Sequence, residues 1–432
     1  MKKIVILLVI LLATPALAVL RVDINSGQIK PMKIAVPYFE TNNKATKKVS
    51  EEMLQLITTN LRRSGMFAPV NKASFIDEKP KSTAIPKFAD WKIVGSEAVV
   101  TGSIKEESGK YKISFRLWDV FTGKQLTGKE FSTTKTNWRR IGHIISDEIY
   151  ARLTGEKRYF DTRIAYVAES VVRRRKIKRV AIMDQDGTNG KFISGNRSLV
   201  LTPRFSPDGK KVLYITYNRR KQPRVYIRDL VTGTEEVIGD FRGMSFAPAF
   251  APDGQSLAMT IAKNGNSDIY KVSLKSKRMK RLTKGSAIET TPSFSPDGEK
   301  IVFESDRGGS QQLYMMDENG GGQKRISFGN GRYAAPAWSP LGNYIAFVKM
   351  KKGLFYIGVM RPDGTGERIL SQGFLAESPA WAPNGRTIIF TKQETRNSPT
   401  RLHTVDITGN NEQVVRTKTE ASDPSWSALL PL

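Results

Sequence analysis

The chain has 432 residues, room for two or three domains, and no cysteine. The missing thiol excludes disulfides, thiolate metal sites, a cysteine nucleophile and the lipidated cysteine of a bacterial lipoprotein. With 69 Lys and Arg against 41 Asp and Glu the net charge is +28, which suits a polyanion. No helix-turn-helix, zinc finger or RNA-binding sheet motif accompanies it, so no nucleic acid is expected.

Residues 1–18 read as a secretory signal peptide. Lys2-Lys3 form its basic start, Ile4 to Leu12 its apolar run, and Ala16-Leu17-Ala18 a small-x-small cleavage site. The run is too short to span a bilayer, so an exported product cleaved near Ala18 is expected. Residues 19–32 follow as a candidate partner-binding segment. Leu20, Val22 and Ile24 alternate with Arg21 and Asp23, which fits either a first strand of the next domain or an exposed strand offered to a partner's sheet edge.

Residues 33–155 have the rhythm of a small α/β domain. Lys33 to Phe39 reads as a strand, and Lys44 to Arg63 as a helix with Val49, Met53, Leu56, Ile57 and Leu61 on one face, stopped at Gly65. Tyr111, Ile113, Phe115 and Leu117 alternate with polar residues, as a strand would. A second helix carries Trp138, Ile141, Ile145, Ile149 and Leu153 and ends at Gly155. Glu156 to Asp161 is a short link.

From residue 162 to 432 one phrase recurs, Pro-x-aromatic-small-Pro-x-Gly. It stands at Pro203 to Gly209, Pro248 to Gly254, Pro292 to Gly298, Pro336 to Gly342 and Pro379 to Gly385, with a truncated copy, Pro424 to Ser427. The first prolines lie 45, 44, 44, 43 and 45 residues apart, a period that marks a repeat array of four-stranded units, a β-propeller. Before the first full repeat, Arg163 to Val167, Arg179 to Asp184 and Lys191 to Ile193 match second, third and fourth strands with no first. The copy at Trp426 is a first strand with nothing after it. The two ends therefore complete one composite blade, closing a six-bladed ring without an open sheet edge.

Catalytic motifs are scarce. There is no Gly-x-Ser-x-Gly elbow, and the two histidines, His143 and His403, read as structural or solvated. Turns such as Asp184-Gln185-Asp186-Gly187 lack the spacing of a calcium loop. Phe205, Phe250, Phe294, Trp338, Trp381 and Trp426 share one repeat position and read as packing between blades. Just before each first proline stand Thr202, Ala247, Thr291, Ala335, Ser378 and Asp423, five of them small. They either leave a wide funnel for a partner's loop or fit a crowded ring centre. An exported propeller enzyme acting on a sugar or peptide would have Glu377 and Asp423 as its candidate carboxylates. A polyanion-binding module would show steep salt dependence.

The repeats, the joint Gly155-Glu156-Lys157-Arg158-Tyr159-Phe160-Asp161-Thr162-Arg163-Ile164-Ala165-Tyr166-Val167 and the early run Ile24-Asn25-Ser26-Gly27 together resemble the TolB family of the Tol-Pal system. The resemblance covers essentially the whole mature chain. It implies a periplasmic, non-enzymatic protein that binds the outer-membrane lipoprotein Pal at the propeller mouth and the inner-membrane protein TolA through its mature N-terminus. Such a protein supports outer-membrane invagination during cell division and envelope integrity. The TolA-binding residues implied are Val19, Leu20, Arg21, Val22, Asp23, Ile24 and Asn25. The Pal-facing ones are Met244, Phe246, Ala247, Thr290, Thr291, Ala335 and Ser378. Family members often carry His-Asn-Gly where this chain has Met244-Ser245-Phe246. A monomer without cofactor or small-molecule substrate is expected, and a calcium ion in the channel stays open.

Overall fold

The computed structural model describes residues 30–77, 80–172, 175–195, 199–217, 223–239 and 244–431. The expected signal peptide, residues 1–18, and Val19 to Asn25 lie outside the described residues. An N-terminal α/β domain is followed by six four-stranded sheets arranged as a propeller. No helix among the described residues is long and apolar enough to cross a membrane.

The first domain runs β1 (Met32–Ala35), β2 (Glu40–Thr41), α1 (Lys44–Arg63), β3 (Phe67–Pro69), α2 (Phe88–Ile93), β4 (Ala98–Glu107), β5 (Lys110–Asp119), β6 (Gln125–Thr133) and α3 (Trp138–Thr154). β1 ends at Ala35, short of the strand expected to Phe39, because Pro37 has no N–H for a ladder. The sheet order is β3-β1-β4-β5-β6, with β2 on β4. β1 pairs in parallel with β3 and β4, while β4, β5 and β6 form an antiparallel meander. α1 starts on a capping box: the Asn43 side chain accepts from Thr46 N–H at 2.8 Å, and Thr46 Oγ1 accepts from Asn43 N–H at 3.1 Å. α1 and α3 touch where α3 carries Gly142. A Cβ there would stand 2.7 Å from Leu56 Cδ2, so glycine permits the approach.

Each blade begins with an inner strand carrying the repeat phrase. These are Val200–Phe205 (blade 1), Met244–Phe250 (blade 2), Glu289–Phe294 (blade 3), Arg332–Trp338 (blade 4), Leu375–Trp381 (blade 5) and Glu420–Trp426 (blade 6). Blade 6 is the composite one. Its inner strand pairs antiparallel with Arg163–Val172, in the register Trp426↔Ile164, and Arg175–Asp184 and Lys191–Phe192 complete it. Arg163 and Ser427 exchange two further bonds, Arg163 N–H to Ser427 Oγ and Ser427 N–H to Arg163 O, both 2.9 Å. Lys176, Lys178 and Arg179 stand on the third strand of this blade.

The two domains share one core. Ile57, Ile145 and Ile149 of the helices belong to the same buried cluster as Tyr159, Phe160, Ile164 and Trp426 at the propeller seam. The link is stitched to α3 by one carboxylate. Asp147 Oδ1 accepts from Tyr159 and Phe160 N–H at 2.7 and 2.8 Å, and Oδ2 accepts from Asp161 N–H at 2.9 Å. Beside it the Asn60 amide meets His143 Nδ1 and Ser146 Oγ, each at 3.0 Å, and accepts from the Gln185 amide at 3.0 Å. Burial drives the His143 pKa down to about 4 and keeps the imidazole neutral. The turn Asp184 to Gly187 is a hairpin turn that also docks on α3, with Asp186 paired to Arg139 at 2.6 Å.

Candidate functional site: the propeller channel

Every inner strand breaks register at the same place. Pairing slips between Leu201 and Arg204, Phe246 and Ala249, Thr290 and Ser293, Ala334 and Ala337, Glu377 and Ala380, and Ser422 and Ser425. The extra residue in each bulge is Thr202, Ala247, Thr291, Ala335, Ser378 or Asp423, and all six have left-handed backbones, with φ from 46° at Ala335 to 53° at Ser378. Non-glycine residues rarely adopt this region, β-branched threonine least of all. The backbone thus supplies a reason for the small side chains beyond funnel width or crowding. A bulky or branched residue would add to a strain already repeated six times.

The bulges turn the inner strands around a cavity of about 510 Å³ along the propeller axis. Thr202, Ala247, Thr291, Ala335 and Ser378 line one part of it, and Pro207, Pro252, Pro296, Pro340 and Pro383 line another. The proline end lies on the face that meets the α/β domain, since Arg386 in the blade 5 turn stands 3.7 Å from Glu156 and Asn411 donates to Arg63 O at 2.7 Å. The bulges lie toward the opposite mouth. Ties between neighbouring blades hold the ring: Phe205 N–H to Ser425 Oγ at 3.1 Å, Trp338 N–H to Ser293 Oγ at 3.0 Å, and the Trp381 indole to Ala337 O at 2.9 Å. The shared aromatic position therefore packs and bonds across blades, as expected for inter-blade contacts.

Carboxylates gather at the opposite mouth in spite of the net charge. Burial and the charge of Asp423 push the Glu377 pKa up to about 7. Asp423 accepts from Ser378 Oγ at 2.7 Å, and its N–H donates to Thr391 Oγ1 at 3.0 Å. Burial also raises the Glu304 pKa, against bonds from Ala335 N–H, Thr291 and Gln311. Glu289 pairs with Arg307, and Glu169 pairs with Lys178 at 2.7 Å while accepting from Ser422 Oγ at 3.0 Å.

The mouth brings together Ala247, Thr291, Ala335 and Ser378 at the bulges, with Thr290 buried one residue before Thr291. Phe246 instead packs among Leu213, Ile215 and Met259, between blades 1 and 2. Met244 heads its strand opposite Ala262. Among the described residues the cavity lining does not fit a calcium ion: it offers serine and threonine hydroxyls, but its one charged side chain is the cation Arg204. Among the described residues two clusters have metal-ligand types, His143-Asp184-Asp186 and Glu394-His403-Glu412. Both lie outside the channel and already hold a cation, Arg139 and Lys392. Sequence reasoning passed over Glu169, Glu289, Glu304 and Arg204. Aligning the repeats would have flagged Arg204, because the equivalent positions are Ala249, Ser293, Ala337, Ala380 and Ser425.

Residues 150–430 match a family model described as the TolB beta propeller domain, and residues 20–126 match one described as the TolB amino-terminal domain. Among solved structures, TolB from Acinetobacter baumannii is 30% identical with a TM-score of 0.81, and the match covers 92% of this chain and 97% of that one. Two others share only the fold. A chain of a nidogen/laminin complex has 10% identity and a TM-score of 0.51, with 62% and 100% of the two chains covered. Hydrazine synthase of Kuenenia stuttgartiensis has 11% and 0.51, with 61% and 46% covered.

Proposed function

The chain belongs to the TolB family, and from that premise we propose that it is a periplasmic interaction component of the Tol-Pal system. In this reading a Pal-like lipoprotein of the outer membrane docks at the channel mouth around Ala247, Thr291, Ala335 and Ser378. A TolA-like protein of the inner membrane takes the segment Val19 to Asn25. The link between them serves outer-membrane invagination at division and envelope integrity. The observation that carries the reading is the order of the two matches, amino-terminal domain then propeller, in one chain. The mouth itself adds support: a rigid ring of bulges around an open channel gives a partner's loop a fixed seat, and preorganisation favours binding.

The mechanism proposed is competition. The N-terminal segment is either docked on its own protein or released to its partner, and lipoprotein binding at the mouth biases that choice. Such coupling is reciprocal. Deleting residues 19–30 and measuring the affinities of a purified Pal-like lipoprotein and a TolA-like domain tests it. The deletion is expected to abolish binding of the second and to shift affinity for the first. Unchanged affinities for both would overturn the reading.

A propeller enzyme using Glu377 and Asp423 is the second reading, favoured by the raised Glu377 pKa beside a second carboxylate, a pattern that suits acid–base work. Against it stands the position of Asp423. It occupies the same bulge as five residues without acid–base chemistry, and its bonds to Ser378 and Thr391 tie neighbouring strands.

A further inference from the structure

After the first proline of each repeat, five blades place alanine or serine against the channel: Ala249, Ser293, Ala337, Ala380 and Ser425. Blade 1 places Arg204 there. Its one hydrogen bond runs from Nη1 to the adjoining Pro203 carbonyl at 2.8 Å, and among the described residues no carboxylate stands within ion-pair distance. Burial lowers its pKa, while the charge of Asp423 on the adjoining blade 6 strand raises it. A guanidinium has five N–H donors in a planar fork, and the half-buried Arg204, on the cavity wall, has a protein acceptor for one of its donors.

The surroundings narrow the missing partner. A guanidinium fork matches a carboxylate in two parallel bonds. Ser425 Oγ and Ser293 Oγ each accept a backbone N–H, which leaves their own O–H to donate. Past Arg204 the walls are prolines and aromatic edges, suited to hydrocarbon. Asp423, close enough to act on Arg204, repels anions of higher charge. We infer that the propeller channel binds a small monocarboxylate with an apolar tail, its carboxylate held by Arg204 and its tail against the ring of prolines. This site shares its cavity with the proposed partner mouth, but the inference does not rest on that reading and needs neither membrane protein.

Trp338, Trp381 and Trp426 line the same cavity, so their fluorescence reports on it. The full chain is titrated with hexanoate, with hexanol as the uncharged control, alongside Arg204→Ser and Arg204→Lys. The serine variant carries the residue that blades 3 and 6 already hold at this position, and circular dichroism checks its fold. The parent is expected to respond saturably to hexanoate, and R204S to bind it at least about tenfold more weakly, as for loss of a charged hydrogen-bond partner. R204K falls between, because a point charge replaces a fork. Hexanol distinguishes none of the three. Equal hexanoate affinity in the parent and R204S, or a parent without a saturable response, would overturn the inference.

Discussion

Replacing Asp147 by alanine tests the stitch between the domains. The three N–H groups that donate to this carboxylate belong to Tyr159, Phe160 and Asp161, which are 4%, 1% and 4% exposed. Water therefore has little access to replace the lost acceptor. Each buried donor left alone costs about 1–3 kcal/mol. The three share two oxygens, and the small gap left by the truncation can admit a water. The loss expected for D147A is therefore about 3–5 kcal/mol, the range for breaking one side of a buried charged network. D147N retains an oxygen for Tyr159 and Phe160 but turns its NH₂ toward the Asp161 N–H. It also removes a carboxylate whose pKa burial pushes up to about 6, so its loss is smaller, about 1–2 kcal/mol. Urea unfolding at pH 7.5, above that pKa, followed by both far-ultraviolet dichroism and tryptophan fluorescence, measures both. In D147A the two probes are expected to separate as the α/β domain and propeller lose their common transition. A D147A midpoint within experimental error of the parent, or no difference between the two variants, would refute the account.

Glu377 gives a pH prediction. Its pKa is raised from 4.5 to about 7, so the folded state holds the proton more tightly than the unfolded chain, and stability falls as pH rises through that window. Glu377→Gln should flatten this slope and gain up to about 3 kcal/mol over the parent at pH 8; denaturant midpoints at pH 5 and pH 8 check it, and an unaltered slope sinks it. Thr202→Gly should stabilise, against the usual sign for glycine in a strand. Thr202 has φ 47° and a buried hydroxyl without a partner. Relief of the left-handed backbone, about 1–2 kcal/mol, exceeds the entropic cost of glycine, about 0.5–1 kcal/mol. A thermal midpoint equal to or below the parent's would contradict it.

The ring was legible because its evidence is periodic. Six copies of one phrase at a near-constant interval leave little else for the chain to do, and Trp426 without following strands tells how the circle closes. Helix α1 was legible to the residue because its apolar face and Gly65 are local signals. The seam was not. Asp147 sits on α3 among residues that read as polar surface, and only the returning link and the Asp184 to Gly187 turn bury that side. The acidic mouth was hidden likewise. Glu169, Glu304 and Glu377 come from different blades, far apart in sequence, and the net charge points the other way.

The bulges explain part of the phrase that the repeat pattern alone leaves arbitrary, its first proline. In blade 1 the pairs Leu201↔Ile215 and Arg204↔Leu213 leave Thr202 and Pro203 opposite the single residue Tyr214. One position of the inner strand therefore has no ladder partner, and the N–H of an ordinary residue there would lack a bond to the next strand. Proline has no N–H to satisfy. Its ring also bars the preceding residue from the right-handed helical region, and the bulge takes the left-handed one in all six strands. Proline and the small residue before it are thus one device. It lets six strands turn at the same depth and hold a channel open, and the partner site and Arg204 both depend on that channel.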